Sequence, residues 1–308
     1  MSTMPATLVN EQGRRGQWQP RQRREWLPYI FLAPTLLLLA VFMISPVLSG
    51  AVMSLFKTAL DGTTTFAGAA NYRLLLSETR FQTNITLSLL YVVGNLSLSL
   101  PFAYAAALLI TRPLRAAQAL RGIFLLPWIV APVVSALLFR SLVDPTFGPL
   151  SWLVQHLTGR QHVILTEPAL AMGTIILHSF WRSFPFMMLF LAAGIASIPP
   201  EVYEAAKVDG GGRWTQFRYL TLPLTKVHLA VVLVVITMWT LQDAETVYAM
   251  TEGGPGYSTE VAAVRLFKMS FINFDLNSGA TIGIVLVVVG VLFMFAYLRL
   301  TGGLRELR

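Results

Sequence analysis

The residues best placed to do chemistry are polar ones stranded inside long apolar runs. Arg182 sits in Trp181-Arg182-Ser183-Phe184-Pro185-Phe186, about 20 Å along an apolar stretch by helical rise. A charge there costs several kcal/mol unless it faces a cavity or a partner, or pairs with an acid elsewhere in the bundle. A later run, residues 237–250, carries Trp239, Gln242, Asp243, Glu245 and Tyr248. Trp239, Gln242 and Asp243 recur at intervals of three and four and are predicted to share a helix face. Aromatic faces beside amide and carboxylate groups suit a polyhydroxy ligand, stacking on its C–H faces and bonding its hydroxyls. The alternative for Trp239 and Tyr248 is the interfacial aromatic belt of a membrane helix.

Other chemistry is excluded by what is missing. There is no GxxxxGK[ST], and Gly253-Gly254-Pro255-Gly256 follows no strand and has no basic residue suited to phosphate. No HExxH, GxSxG or Cys–His arrangement is present, and there is no cysteine. His156 and His162 lack a companion at metal-ligand spacing and read as solvated, so no metal site is expected. The histidines as a group are placed outside the apolar runs or at their edges. The chain does not read as an enzyme: catalytic residues, none.

The elements that must hold these residues are membrane helices. Hydrophobic residues make up 55% of the chain and charged ones only 12%, about half the usual fraction for a soluble domain. Six runs reach the length of about 20 residues that spans a bilayer: 27–56, 83–111, 121–142, 169–198, 224–249 and 278–299. The fold class is thus an all-α integral membrane protein of six transmembrane helices, residues 26–308. The run from Trp26 is too long for a signal peptide and is kept as the first span. Pro46, Pro101, Pro127, Pro132 and Pro185 fall inside spans, where neighbouring helices accommodate kinks. Asn84, Thr86, Ser88, Asn95, Ser97 and Ser99 in the second span are assigned to helix packing.

Charge sets the orientation. The net charge of +8 is not gathered on one aromatic-interleaved patch, which argues against nucleic acid. Residues 1–25 form a basic, disordered tail with Arg14, Arg15, Arg21, Arg23 and Arg24. The linker after the second span carries Arg112, Arg115 and Arg121 without an acid, and the C-terminus carries Arg299, Arg305 and Arg308. The alternate linkers mix signs. Both termini, and the segment 199–223, are therefore expected in the cytoplasm.

That segment is a polar island between the fourth and fifth spans. Pro199-Pro200 pre-sets a helix start, and Glu201 and Glu204 are placed in its first turn. Val202, Ala205 and Ala206 supply a small apolar patch, and Gly210-Gly211-Gly212 stops the helix. Arg213 to Tyr219 can form a second short amphipathic turn. Such a short helix between membrane spans is either a loop or a docking element.

Glu204-Ala205-Ala206, Gly210 after three residues, and Leu220-x-Leu222-Pro223 after nine more resemble the EAA loop of ABC importer permeases. Trp181-x-x-x-Pro185-Phe186 resembles the "W…PF" pattern of sugar permeases. Residues 248–260 resemble their Y-V-L-T-x-G-G-P-x-x-x-T-E loop, and Phe66-x-Gly68-x-x-Asn71-Tyr72 matches a further family pattern. Ala244 and Glu245 replace the phenylalanine and aspartate usual before the tyrosine, so the pocket is expected to be shifted.

The resemblance implies a permease subunit of a bacterial ABC carbohydrate importer, of the maltose/glycerol-3-phosphate type, in the inner (cytoplasmic) membrane. Its implied partners are a second homologous permease, two ATPase subunits that hold the ATP and magnesium, and a periplasmic or lipid-anchored solute-binding protein. Glu204, Ala205, Ala206, Asp209, Gly210, Leu222 and Pro223 would couple to the ATPase. Trp181, Arg182, Trp239, Gln242, Asp243, Glu245 and Tyr248 would line the substrate pathway, and Gly253, Gly254 and Pro255 would form an external loop. The substrate is expected to be a sugar, alternatively a polyol or an anionic derivative such as glycerol-3-phosphate or a sulfonated sugar. A stand-alone secondary transporter, the remoter alternative, would show inverted repeats or midplane acids that couple to a gradient.

Overall fold

The computed structural model describes residues 27–59, 62–111 and 117–301. The basic tail, Arg112, Arg115, Arg305 and Arg308 lie outside them. The chain divides into two compact units, 1–48 and 49–308. In the first, α1 (Leu27–Leu39) runs through a π-helical turn at Ala40–Ile44 into the start of α2 (Ser45–Met53). Its side chains are exposed from Tyr29 onward and, apart from Thr35 and Ser45, not hydrophilic.

The second unit departs from an all-helical expectation near its start. Residues 54–56, expected to end the first span, instead lead into a hairpin of β1 (Phe56–Thr58) and β2 (Thr64–Phe66). Threonines and phenylalanines favour the extended chain. Phe56 pairs with Phe66, their rings edge to face at 5.5 Å. A short α3 (Ala70–Ser77) follows.

The spine is α4 (Thr79–Ile110) packed along α8 (Pro168–Ala196). Polar residues of α4 do tie helices together. Asn95 donates to Thr240 Oγ1 at 2.9 Å and accepts from Ser99 at 2.8 Å and Ser183 at 2.9 Å. Thr86 and Ser97 do not: both are exposed and bond carbonyls of their own helix. Two apolar clusters flank this polar belt. One gathers Phe81, Tyr91, Ile175, Met250, Val264 and Ile282, the other Tyr104, Met187, Met188, Leu191, Val232 and Ile236.

Two of the expected spans are broken rather than continuous helices. The run 121–142 becomes α5 (Ala117–Ile129) and α6 (Pro132–Leu142), bent by 96°. Pro132 lacks an N–H and pushes Ala131 out of the helical region, to φ −57°, ψ 140°. Next come α7 (Pro149–Thr158), α9 (Pro200–Val208), α10 (Arg213–Gln216), a π-turn over Phe217–Thr221 and α11 (Leu222–Leu224). The run 224–249 is interrupted twice. Thr225 separates Arg213–Leu224 from α12 (Lys226–Leu241) at 70°. Then α12 stops, and Asp243 starts α13 (Ala244–Thr251), its carboxylate accepting the Thr246 N–H at 3.0 Å. After α14 (Ala262–Phe267) and a π-turn over Lys268–Ile272, α15 (Leu276–Leu300) completes the chain. Among the described residues four helices are long and apolar enough to cross a membrane, up to six spans if each bent pair is one.

Candidate functional site

The bend at Pro132 and the Gln242–Asp243 junction open onto one cavity of about 350 Å³. On α8, His178 and Arg182 stack one turn apart, with Ser179 and Ser183 beside them. Asn95 of α4, Trp128 and Pro132 at the α5–α6 bend, and Ile236, Trp239 and Thr240 of α12 add further walls. Gln242, Asp243 and Glu245 enter from the second break. Irregular backbone at this depth is tolerated where it lines such a cavity.

Five of the seven pathway candidates meet here: Arg182, Trp239, Gln242, Asp243 and Glu245. Trp239, Gln242 and Asp243 do not share one helix face as the spacing predicted, because α12 ends at Leu241; Gln242 and Asp243 reach the cavity from the junction. Trp181 points elsewhere, packing on Phe139 at 5.5 Å, since adjacent helical residues diverge by about 100°. Tyr248 packs on Phe267 at 5.0 Å.

Arg182 has no hydrogen-bond or ion-pair partner among the described residues, and its buried Nε is unsatisfied. Asp243 is already engaged, accepting from Tyr91 O–H at 2.7 Å as well as from Thr246. The acid partner weighed for Arg182 is therefore absent among the described residues. Free guanidinium N–H groups and the exposed Glu245 carboxylate face the same cavity.

His178 corrects the placement of the histidines. It lies mid-helix, fully buried, with Nε2 2.8 Å from Ser135 Oγ and its ring against Phe139. Its position four residues before Arg182, on one helical face, was the available signal. Of the two linker histidines, His156 is exposed as expected, beside Trp152, while His162 is half-buried and pairs with Glu167 at 2.7 Å.

The island builds as two short helices. Pro200 occupies the first turn of α9 with Glu201, while Glu204 falls just past it. Glu204, Ala205, Asp209 and Gly210 are exposed, Ala206 is half-buried, and Val208 is 88% exposed. Gly210 takes φ +79°, and a Cβ on Gly211 would stand 2.7 Å from the Ala206 carbonyl oxygen. Tyr203 O–H meets Thr221 Oγ1 at 3.0 Å, joining α9 to the second short helix. Leu222 packs into the cluster around Tyr104, and Pro223 is exposed.

Residues 252–261 lie at the opposite end of α4. Gly253, at φ +85°, is buried, and a Cβ on it would come 3.1 Å from the Glu260 Cβ. Gly254 and Pro255 are half-buried, joined by a cis peptide. The close approach that glycine permits here is thus filled by the chain's own Glu260, the last residue of that loop pattern. Glu260 is fully buried, held by Arg80 through two hydrogen bonds of 2.9 Å and by Lys268 at 3.1 Å. Asn84 bonds its backbone carbonyl, and Arg265 bonds Asn84 and Glu78. The Arg80 guanidinium lies 3.6 Å from the centre of the Tyr257 ring.

Comparison with known proteins agrees with this architecture. Residues 99–306 match the family model described as "Binding-protein-dependent transport system inner membrane component". The trehalose/maltose transport system permease protein MalF of Thermococcus litoralis is 31% identical over 283 residues, covering 91% of this chain and 95% of that one. The sulfoquinovosyl glycerol transport system permease protein SmoG of Agrobacterium fabrum is 30% identical, covering 89% of this chain and 90% of its own. A chain in the crystal structure of a bacterial ABC transporter involved in the import of the acidic polysaccharide alginate superposes with a TM-score of 0.77 at 23% identity, covering 90% and 96% of the two chains; it shows the shared fold. The chain is a member of the binding-protein-dependent transport inner membrane component family, the permease family of ABC importers.

Proposed function

We propose that this permease accepts a saccharide from a solute-binding protein and passes it inward through the Arg182–Trp239 cavity. The observation that carries the reading is the cavity itself. It joins the indole faces of Trp128 and Trp239 to Arg182, Gln242, Asp243, Glu245, Asn95 and two serines, a set suited to a polyhydroxy ligand. One guanidinium against two carboxylates favours an uncharged sugar or polyol. An anionic derivative is the second reading, favoured by the unpaired Arg182, and competition between neutral and anionic sugars separates them.

The chain acts as one of two homologous permeases, with both termini and the island on the cytoplasmic side. ATP and magnesium belong to two ATPase subunits, and this chain performs no catalysis. The exposed Glu204–Ala205 face of α9 docks in an ATPase groove, with Asp209 and Gly210 fixing its end and Leu222 and Pro223 its exit. The Gly253–Gly254–Pro255 loop belongs to the external side. When the ATPases close, α9 is carried with them and the spans open outward; hydrolysis resets them.

The test is uptake by the complete transporter in proteoliposomes. Trp239→Ala should raise KM for the sugar about tenfold, the scale of one lost aromatic stacking surface. Unchanged kinetics would remove the cavity from the pathway.

A further inference from the structure

The segment 213–224 carries an exposed face that the coupling role of α9 does not use. Arg213, Trp214, Arg218 and Tyr219 all point outward, Trp214 at 73% and Tyr219 at 70% exposure. Phe217 and Thr221 anchor the segment in the protein. Phe217 packs edge-on against Tyr104 at 5.5 Å, and Thr221 is buried beneath Tyr203. The segment's axis is bent by 70° from α12, the span it feeds. Spans tilt about 20° from the bilayer normal on average, so this helix runs near the membrane plane.

We propose that the Arg213–Tyr219 face is an interfacial anchor that binds the phosphate headgroups of anionic phospholipids in the cytoplasmic leaflet. This rests on the reading that places the island in the cytoplasm. Three observations favour lipid over the ATPase as occupant. The helix leads directly into a membrane span. Its outward side pairs two guanidinium groups with two amphipathic aromatics, the composition of in-plane helices. Its separation from the Glu204–Ala205 face by the glycine break 210–212 leaves that docking patch on a different element. Arginine donates two parallel N–H bonds to a phosphate, while Trp214 and Tyr219 bury their rings at headgroup level. The Arg218 guanidinium already lies 5.9 Å from the Tyr219 ring centre, which orients both toward one surface.

The test titrates short-chain phosphatidylglycerol, with phosphatidylcholine as control, into the detergent-solubilised complete transporter and counts bound lipid by native mass spectrometry. Each basic residue near an anionic surface is worth about fivefold in association. Arg213→Gln with Arg218→Gln should therefore weaken phosphatidylglycerol binding about thirtyfold and leave phosphatidylcholine unchanged. The double lysine variant should keep most of the affinity. Equal phosphatidylglycerol affinity in wild type and the glutamine variant overturns the proposal. So does loss of the ATPase subunits from that variant, which would assign the face to them. Sidedness is read separately. The chain has no cysteine, so Val208→Cys labelled with a membrane-impermeant maleimide shows which side the island faces. Labelling from outside would refute the orientation itself, whatever the lipid titration gives.

Discussion

Neutralising Glu260 should unfasten the end of the bundle remote from the island. Its carboxylate is fully buried, takes both hydrogen bonds of the Arg80 fork and contacts Lys268. Within this cluster three cations, Arg80, Arg265 and Lys268, meet two carboxylates, Glu260 and Glu78. Glu260→Gln keeps the shape but leaves three cations facing one carboxylate. Removing one member of a buried ion pair costs about 3–5 kcal/mol. Arg80 and Lys268 retain 37% and 23% of their side-chain exposure and can recruit water, so the lower end, about 3 kcal/mol, applies. That is a shift of more than a hundredfold in the folding equilibrium, readable as the free energy of SDS-induced unfolding of the solubilised permease. Adding Lys268→Gln to Glu260→Gln removes one surplus cation and should return about 1 kcal/mol, a non-additivity that marks a coupled network. A Glu260→Gln loss below 1 kcal/mol, or strict additivity of the pair, refutes the reasoning.

Three further outcomes are expected. Glu204→Arg should abolish uptake and the stimulation of ATP hydrolysis by loaded binding protein, with membrane insertion intact by fractionation; uptake at wild-type level would end the coupling role. Gly194→Ala places a Cβ 2.7 Å from Cγ of His228 on α12. It should cost about 1–3 kcal/mol by overpacking, lowering Tm, and His228→Ala should rescue it. Tyr203→Phe loses the bond to Thr221, worth about 0.5–1.5 kcal/mol, and should lower sugar transported per ATP without releasing the ATPase.

What was legible in the sequence follows from cost. A lone Arg182, or a carboxylate near Trp239, is expensive in an apolar run, so its presence signals a cavity whatever the fold. The island was legible because prolines and glycines fix backbone geometry locally, as the left-handed Gly210 does. The breaks were not, because hydropathy records how apolar a stretch is and not its direction. Pro132 was read as a kink but turns the chain by 96°, and Asp243 was read as a face residue but starts a helix. Glu260 stands in the loop pattern as its last residue, but its burial was not legible for another reason: its partner Arg80 lies 180 residues away, beyond any local pattern.

The two walls of the cavity descend to the same island by different routes. About 20 Å of α8 separates Arg182 from Ala196, and a similar length of α12 separates Lys226 from Trp239. Pro199 joins the first directly to α9, while Thr221 joins the second to α9 through Tyr203. On the proposed reading, a rigid displacement of α9 therefore tilts both walls at once, with nearly equal lever arms. The far side of the cavity is held differently. Asp243 is tied to α4 through Tyr91 and to its own helix through Thr246, and Thr240 at the end of α12 is tied to α4 through Asn95, so both sides of the break are fastened to α4. On the proposed reading, the non-helical junction between α12 and α13, Gln242–Asp243, where two of the groups lining the cavity sit, is the point at which the two helices can re-orient. Placing ligand contacts at such a hinge lets displacement of the island change their spacing, which the same residues within an unbroken helix could not do.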